Sequence, residues 1–421
     1  MAEAWDLATV DLVVSAACNL RCAYCYQVVK RPGQLPWPAA KAAVALLLKS
    51  RSRVRRLVLT GGEPLLAISL VRRIIRHVRA AGPAGRAVSL DLLTNGTLLD
   101  DGMAAFFARN RVGLQISMDG VMEAQCLRGA WTFARLDALL DQLRTRQPRW
   151  FRQRVSVAVT LVPASISHLA ESVEYLLAKG VREIAVSPAI GPSRGWRQAR
   201  LAELDDQFSR VFRGSLAHYE RTGRVPLTIF RKAVDFPASP SQPLCAIANG
   251  SKVVVNADGH VYGCPPAIPA MLSRPGALLR RVSAAMHLGT VTDPDLASRL
   301  PAYRRALAES GLFGPRGDLT SSAGPCRSCR YLGHCVVCPL SIAHAPGARD
   351  PKRVPGFICA FSRISLKYRD RFPSQVFAAP PPRAGRHLEK PRSSAARPVR
   401  QPSAGRGANR RGRETERRTT P

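Results

Sequence analysis

The stretch CNLRCAYCY, residues 18–26, follows the first apolar run of the chain and separates three cysteines by gaps of three and two residues. The order Cys18, Cys22 and Cys25 suits three corners of a four-iron cluster and leaves the fourth iron without a protein ligand. A cluster with four thiolate corners only passes electrons, whereas an open corner can bind a substrate or cofactor at iron. The stretch therefore predicts an iron–sulfur cluster that takes part in a reaction and does not only transfer electrons.

The residues after this stretch alternate between short apolar runs and amphipathic segments with apolar residues three and four apart. The runs indicate strands and the segments indicate helices, such as Trp37–Lys49 and Ile166–Ala178. This alternation implies a parallel sheet with right-handed crossovers, so we expect an α/β fold with a partial (β/α)6 TIM-like barrel. The six predicted strands are Thr9–Val14, Arg56–Leu59, Val88–Leu93, Gly113–Ile116, Val155–Leu161 and Glu183–Val186.

Polar motifs follow the carboxyl ends of the first four predicted strands, where parallel barrels carry their active sites. The cysteine triplet follows the first strand, and GGEP, residues 61–64, follows the second. Thr94-Asn95-Gly96 follows the third strand, and Ser117 and Asp119 of ISMDG follow the fourth. Because these loops converge on one face, motifs far apart in sequence are expected to be neighbours.

The triplet, with aromatic Tyr24 before its last cysteine, resembles the signature of the radical S-adenosylmethionine (radical SAM) superfamily. In that family the open iron chelates the amino and carboxylate groups of S-adenosylmethionine (SAM). The resemblance implies reductive cleavage of SAM to a 5′-deoxyadenosyl radical, which takes a hydrogen from the substrate. A zinc or structural site is the alternative, but such sites usually have a nearby fourth ligand, and the next cysteine is Cys126.

The resemblance also assigns cofactor contacts, although it names no catalytic acid or base. Glu63 matches the element that holds the SAM amino group, and Arg128 matches an arginine that pairs with the carboxylate. A surface turn or a helix cap would explain some of the same residues, and Asn95 suits either a ligand contact or a turn. The predicted cofactor-binding residues are Tyr24, Gly61, Gly62, Glu63, Asn95, Ser117, Asp119 and Arg128.

A second set of cysteines resembles the SPASM domain found behind radical SAM barrels that modify peptides and proteins. One departure is the gap of two residues between Cys335 and Cys338, where the family pattern has three. The resemblance implies one auxiliary [4Fe–4S] cluster on Cys326, Cys329, Cys335 and Cys359. It implies another on Cys245, Cys264 and Cys338, whose fourth ligand stays open. A zinc site is the alternative for Cys326, Cys329, Cys335 and Cys338, but it leaves the other three cysteines unexplained.

The length of 421 residues accommodates a barrel, a second domain and a tail. We predict the barrel over residues 1–236 and a small cysteine-rich α+β SPASM domain over 237–376. A disordered basic tail is predicted over 377–421, because this segment is rich in Pro, Ala, Ser, Gly and Arg and nearly lacks apolar residues.

The formal net charge is +34, a value that ordinarily indicates nucleic acid or an acidic partner. The basic tail and scattered arginine, of the kind a GC-rich genome produces, explain much of this charge, so nucleic acid is not an expected partner. Clustered cysteines without a secretory signal predict a reducing, cytoplasmic environment. No apolar run is long enough to span a bilayer, so no membrane segment is expected.

We therefore expect a radical SAM enzyme that abstracts a hydrogen from a peptide or protein side chain, leading to oxidation or crosslinking. A flavodoxin or ferredoxin would be its electron donor. Action on a small molecule or RNA, or a non-catalytic iron–sulfur or zinc protein, are the alternatives. Pro265 stands directly after Cys264, where SPASM enzymes that oxidise sulfatases have an aspartate base. Proline cannot transfer a proton, so that form of sulfatase activation is disfavoured.

Overall fold

The computed structural model describes residues 6–191, 194–231, 247, 250–311, 313–335 and 337–373. The six predicted strands are present, each ending within two residues of its expected limits, and three more strands extend the same sheet. The strands are β1 (Thr9–Ser15), β2 (Arg56–Gly61), β3 (Ser89–Thr94), β4 (Gly113–Ser117), β5 (Val155–Leu161), β6 (Ile184–Pro188), β7 (Lys252–Val255), β8 (His260–Tyr262) and β9 (His287–Thr290). A separate hairpin pairs β10 (Thr320–Ser321) with β11 (Gly324–Pro325).

The nine strands lie in the order β6-β5-β4-β3-β2-β1-β7-β8-β9. All pairs from β6 to β7 are parallel, which confirms the α/β expectation. A parallel strand covered on both faces reads as a continuous apolar run, and every residue from Val10 to Ser15 is buried for this reason. The carboxyl ends of β1 to β6 therefore meet at one edge of the sheet.

Helices connect the successive parallel strands of this sheet and pack against them. The predicted helix Trp37–Lys49 is confirmed to within one residue, and two prolines open it where the unbonded N–H positions tolerate proline. The predicted helix Ile166–Ala178 is divided into a 3-10 turn, Pro163–His168, and a shorter α-helix. The helices are α1 (Trp37–Leu48), α2 (Ile68–Ala80), α3 (Gly82–Ala87), α4 (Asp101–Arg109), α5 (Met122–Gln125), α6 (Thr132–Arg146), α7 (Pro148–Arg154), α8 (Leu169–Ala178), α9 (Leu201–Thr222), α10 (Ala277–Ala285), α11 (Leu300–Glu309), α12 (Pro339–Ala343) and α13 (Gly356–Arg369).

A hairpin forms between β7 and β8 at Asp258-Gly259, a dipeptide typical of two-residue turns, but the loop of this hairpin is longer than two residues. The backbone N–H of Asn256 donates to the carbonyl of His260 at 2.8 Å, which leaves three residues in the loop. Gly259 has φ +87°, the left-handed conformation that three-residue hairpin loops require. Because β7 pairs with β1, this hairpin continues the barrel sheet.

Helix α13 attaches the C-terminal cysteine region to the barrel. The ring of Phe361 packs edge-on against Phe208 of α9, with the centroids 5.4 Å apart. Lys367 pairs with Asp205 of α9 at 2.7 Å. Since Cys359 lies on α13, packing against the last barrel helix fixes the position of this thiol.

Two sequence predictions lie outside the described residues, namely the cluster ligand Cys245 and the disordered tail over 377–421. Within the described residues, no helix combines the length and the apolar character needed to cross a bilayer.

Candidate active site

A cavity of about 460 Å³ opens at the carboxyl ends of the barrel strands. The loops after β1 to β4 line it, together with the end of β6 and segments of α12 and α13. These loops come together because each of them follows the carboxyl end of a parallel strand. The predicted site residues that line it are Cys18, Cys22, Tyr24, Cys25, Gly61, Gly62, Asn95, Ser117, Arg128 and Cys338.

The two glycines after β2 allow the cysteine loop to pass directly over the end of that strand. A Cβ atom on Gly61 would lie 2.3 Å from the carbonyl oxygen of Ser15, and one on Gly62 would lie 2.3 Å from that of Ala17. The N–H of Gly62 donates to Ser15 and the N–H of Glu63 donates to Ala17, both at 2.8 Å. Glycine is required for this approach, which fixes the backbone leading into Cys18.

Glu63 is fully buried beneath the cavity and does not line it. Its carboxylate accepts hydrogen bonds from the Thr94 hydroxyl at 2.6 Å, the Asn95 N–H at 2.7 Å and the Leu65 N–H at 3.0 Å. Burial raises the pKa of this carboxyl, while the three donors oppose the rise. Glu63 thus joins the ends of β2 and β3, and its predicted contact with the SAM amino group stays a prediction.

Asn95 connects the loop after β3 to the cysteine loop. Its side-chain Nδ2 donates to the side-chain Oδ1 of Asn19 at 2.8 Å and lies 4.0 Å from the Cys18 sulfur. Its own side-chain oxygen accepts from the N–H of Thr97 at 3.0 Å and from its hydroxyl at 2.7 Å. The amide is therefore held in one orientation, with its N–H₂ group beside the first thiol.

Asp119 and Arg128 form a buried ion pair at the wall of the cavity. The guanidinium donates to both carboxylate oxygens, at 3.0 and 2.9 Å, and only 8% of Arg128 is exposed. The Thr160 N–H donates to the same carboxylate at 2.9 Å, and the Tyr24 hydroxyl donates to it as well. Burial lowers the pKa of Arg128, but the charges of Asp119 and Tyr24 and the hydrogen bond to Asp119 together outweigh it, so the net shift of this pKa is upward. Arg128 lines the cavity, whereas Asp119 lies behind it.

Sequence reasoning missed several residues that support or complete this wall. Gln125 is fully buried and accepts the Asp119 N–H at 2.7 Å, and no motif marks it. Residues 187–190 line the cavity at the end of β6, where the strand-end rule would have found them. Ile358 and Phe361 line it from α13, and only the tertiary packing of that helix brings them there.

A second cavity, of about 320 Å³, collects four of the C-terminal cysteines. Burial, followed by the neighbouring thiols, raises the pKa of Cys335 to about 12. This set is the one that the resemblance groups as ligands of a single auxiliary cluster. Its members are Cys326, Cys329, Cys335 and Cys359.

Cys338 is separate from that set because it lines the first cavity. Cys264 lies near the same region, next to Tyr26, which also lines the first cavity. Burial raises the pKa of the Tyr26 hydroxyl, and the nearby charges of Cys25 and Cys264 raise this pKa further. Cys126 is exposed and lines neither cavity. None of the ten cysteines in the described part of the chain forms a disulfide bond. Among the described residues, no three His, Cys, Asp or Glu side chains are grouped closely enough to ligate one single metal ion.

The model of the radical SAM superfamily matches residues 12–187, which include the cysteine loop, GGEP and the buried ion pair. Residues 12–187 are a radical SAM domain. The serine-type anaerobic sulfatase-maturating enzyme of Klebsiella aerogenes is 24% identical over 378 residues, which cover 85% of this chain and 84% of the relative. GTP 3′,8-cyclase of Xanthomonas campestris is 26% identical over 272 residues, covering 61% of this enzyme and 78% of the cyclase.

The fold of this chain is also that of a solved structure. The structure of anSMEcpe with bound AdoMet and Cp18Cys peptide superimposes with a TM-score of 0.63 at 17% identity. The likeness covers 87% of this chain and 97% of that chain. The shared architecture therefore extends beyond the barrel into the cysteine-rich C-terminal half.

Proposed function

We propose that this radical SAM enzyme abstracts a hydrogen from a side chain of a peptide or protein and so introduces an oxidation or a crosslink. One observation carries the proposal. The first cavity has the N-terminal cysteine loop on one side and Cys338 with α13 on the other. A substrate side chain in this cavity would lie between the site of hydrogen abstraction and a second group of cysteines.

The residues of the cavity suit a [4Fe–4S] cluster and SAM. Cys18, Cys22 and Cys25 supply the soft thiolate ligands that iron–sulfur clusters require. When bound, the cluster and SAM together supply a 5′-deoxyadenosyl radical. Gly61 and Gly62, which have no side chain to block the cavity, allow the backbone to approach the cofactor.

Arg128 is the residue best suited to hold the SAM carboxylate. Its Nη1 has no hydrogen-bond partner among the described residues, while Nε and Nη2 are engaged by Asp119 and Thr160. The paired carboxylate orients the guanidinium and compensates its charge, which leaves one donor directed to a ligand. The Asn95 amide, next to the Cys18 sulfur, favours the thiolate form by hydrogen bonding.

The substrate side of the cavity is mainly apolar, and Ser187, Ser341 and Ser362 also line it. Ala189 and Ile190 follow β6, and Ile358 and Phe361 face them from α13. Such a wall suits an aliphatic or aromatic side chain, because burial of apolar surface stabilises binding. The relatives fit a polypeptide substrate, since one is a sulfatase-maturating enzyme and anSMEcpe binds a peptide.

Two auxiliary clusters complete the proposal. The four cysteines of the second cavity would hold one cluster. Cys264 and Cys338, with Cys245, would hold the other beside the active site. Pro265 begins a 3-10 turn directly after Cys264 and provides no proton acceptor, so we expect a polypeptide other than a sulfatase as the substrate.

The test is anaerobic reconstitution with iron and sulfide, followed by SAM, dithionite and the small peptides encoded beside this gene. Without substrate, we expect the enzyme to form 5′-deoxyadenosine. When a peptide deuterated at the reacting carbon is added, we expect the 5′-deoxyadenosine to contain deuterium from that peptide. Failure to form any 5′-deoxyadenosine would refute SAM cleavage. Formation of 5′-deoxyadenosine with no mass change in any peptide would refute the peptide substrate alone.

A small-molecule substrate is the second candidate, because one relative is a GTP 3′,8-cyclase. The same assay with nucleoside triphosphates separates the two. Deuterium transfer from a nucleotide, and none from peptides, would favour this candidate.

A further inference from the structure

Three arginines surround the second cavity, alongside its four cysteines. Arg316 is only 7% exposed, and its Nη1 donates to the carbonyl oxygen of Cys335 at 3.0 Å. Arg363 lies on α13, one turn after Cys359, and Arg330 stacks on the ring of Tyr331. All three arginines line the cavity.

The described residues that line this cavity include no aspartate or glutamate. Asp318, two residues after Arg316, does not line the cavity; it is exposed and lies 4.0 Å from the Lys352 ammonium. The fixed charge at the cavity is therefore positive, and its most buried contributor is Arg316. A buried charge acts at a lower effective dielectric than an exposed one, so Arg316 is expected to have the largest effect.

We propose that Arg316, assisted by Arg363, raises the reduction potential of the auxiliary cluster in this cavity and so makes it an electron acceptor. The inference rests on the proposed function, which places a cluster on the four cysteines of the second cavity. A cluster with four thiolates is anionic, and one-electron reduction adds a further negative charge. A fixed positive charge stabilises the reduced form more than the oxidised form, which moves the potential upward.

The alternative role for Arg316 is purely structural, since its hydrogen bond to Cys335 could hold the loop. Charge and hydrogen bonding can be separated by substitution. Arg316→Lys keeps the charge, whereas Arg316→Gln keeps an N–H donor without charge. A structural role would change iron content or stability without a systematic change in potential.

The experiment studies the cluster of the second cavity alone, in the full-length protein, by removing the cysteine ligands of the other two proposed clusters. The parent variant carries alanine at Cys18, Cys22, Cys25, Cys245, Cys264 and Cys338. After reconstitution, dithionite titration with redox mediators is followed by electron paramagnetic resonance of the reduced cluster. Arg316→Gln and Arg363→Gln are compared with the parent, and Arg327→Gln is the matched control, because Arg327 adjoins Cys326 but does not line the cavity.

We expect a more negative midpoint in Arg316→Gln, a smaller negative shift in the exposed Arg363→Gln, and midpoints near the parent in Arg316→Lys and Arg327→Gln. An unchanged midpoint in both glutamine variants, with the resonance signal intact, would overturn the inference alone. If Arg316→Gln fails to fold, Arg363→Gln decides, and its unchanged midpoint would overturn the inference. A parent that binds no iron would overturn the cluster assignment with it, while SAM cleavage by the wild-type enzyme would be unaffected.

Discussion

Individual side chains at the active site divide into those that face the cavity and those that hold them. Arg128 and Asn95 face it, whereas Asp119 and Glu63 lie behind it and orient their neighbours. Asn95, Glu63 and Asp119 all closely follow strand ends, so strand position alone does not separate the two classes. The distinction matters for mutagenesis, because the first class should affect ligands and the second should also affect stability.

The cysteine loop gives the most direct test at this scale. Cys18→Ala should lose one cluster's worth of iron and all detectable 5′-deoxyadenosine, because three ligands are the minimum that leaves one iron open. Cys126→Ala is the control, since this exposed thiol lines neither cavity and should keep full activity. Iron analysis and product chromatography on both variants check the prediction. Equal iron content in the two variants would contradict it.

The buried ion pair predicts a stability effect. Asp119→Ala leaves the Arg128 charge buried and unpaired, which should lower the free energy of unfolding by about 3–5 kcal/mol. Asp91→Ala is the control, because its partner Arg56 is 50% exposed and such pairs contribute at most about 1 kcal/mol. Urea unfolding of both apo-proteins measures the difference. Similar losses of unfolding free energy in the two variants would argue against a buried Asp119–Arg128 ion pair.

Glu63 predicts a pH dependence. Because burial raises its pKa in the folded state, the folded protein binds this proton more tightly than the unfolded chain. The resulting stability is present below the ordinary pKa of glutamate, about 4.3, and is lost as pH rises through the folded value. Relative to Glu63→Gln, the wild type should therefore be more stable at about pH 5 than at about pH 7.5. Urea unfolding of both proteins at the two pH values tests this prediction. A stability difference between wild type and Glu63→Gln that does not change with pH would contradict it.

Sequence pattern located these side chains but not their directions. The strand-end rule correctly brought Asn95, Ser117 and the cysteine loop to one cavity. It could not show that Glu63 turns inward, because burial depends on Thr94 and Asn95 from another strand. Nor could it show that Asp119 would pair with Arg128 across a helical turn.

At the scale of elements, the close packing of the loops after β1 and β2 has a testable consequence. Gly62→Ala would place a Cβ 2.3 Å from the Ala17 carbonyl oxygen and displace the cysteine loop. A displacement near 1 Å can reduce a catalytic rate about 100-fold, so we expect SAM cleavage to fall by this order. Gly214→Ala in α9 is the matched control.

No atom lies within 4 Å of a Cβ on Gly214, so alanine there should keep activity and stabilise the helix by about 0.5–1 kcal/mol. The rate of 5′-deoxyadenosine formation and the unfolding free energy are measured for both variants. Full activity in Gly62→Ala would show that the cysteine loop tolerates movement.

Periodicity predicted β1 to β6 well because a buried parallel strand has a strong apolar signal. It did not predict that β7 would pair with β1, because the pairing partner of a strand is not encoded in its own pattern. The loop between β7 and β8 is one residue longer than a two-residue Asp-Gly turn for a related reason. The Asp258-Gly259 signal marks a turn, but Asn256 and the register set its length.

At the scale of the whole molecule, the clusters should contribute to stability as well as to chemistry. The cysteines of the second cavity come from 3-10 turns near residues 326–335 and from α13, so one cluster would crosslink segments that are distant in sequence. Metal binding to the folded state adds directly to its stability. The reconstituted protein should therefore melt about 5 °C or more above the apo-protein.

Calorimetry before and after chelation of iron measures this shift, and Cys359→Ala should remove more of it than Cys126→Ala. Equal melting temperatures with and without iron would contradict the prediction.

The position of β1 in the sheet also affects how the protein is made. β1 ends at Ser15, but β7, which covers its second edge, begins only at Lys252. A ribosome adding about 5–20 residues per second needs about 10–50 s to synthesise the intervening chain. Throughout that interval an apolar strand has unpaired N–H and C=O groups, a template for association with other chains. We expect nascent chains stalled before Lys252 to be retained by chaperones and those extended beyond β9 to be released.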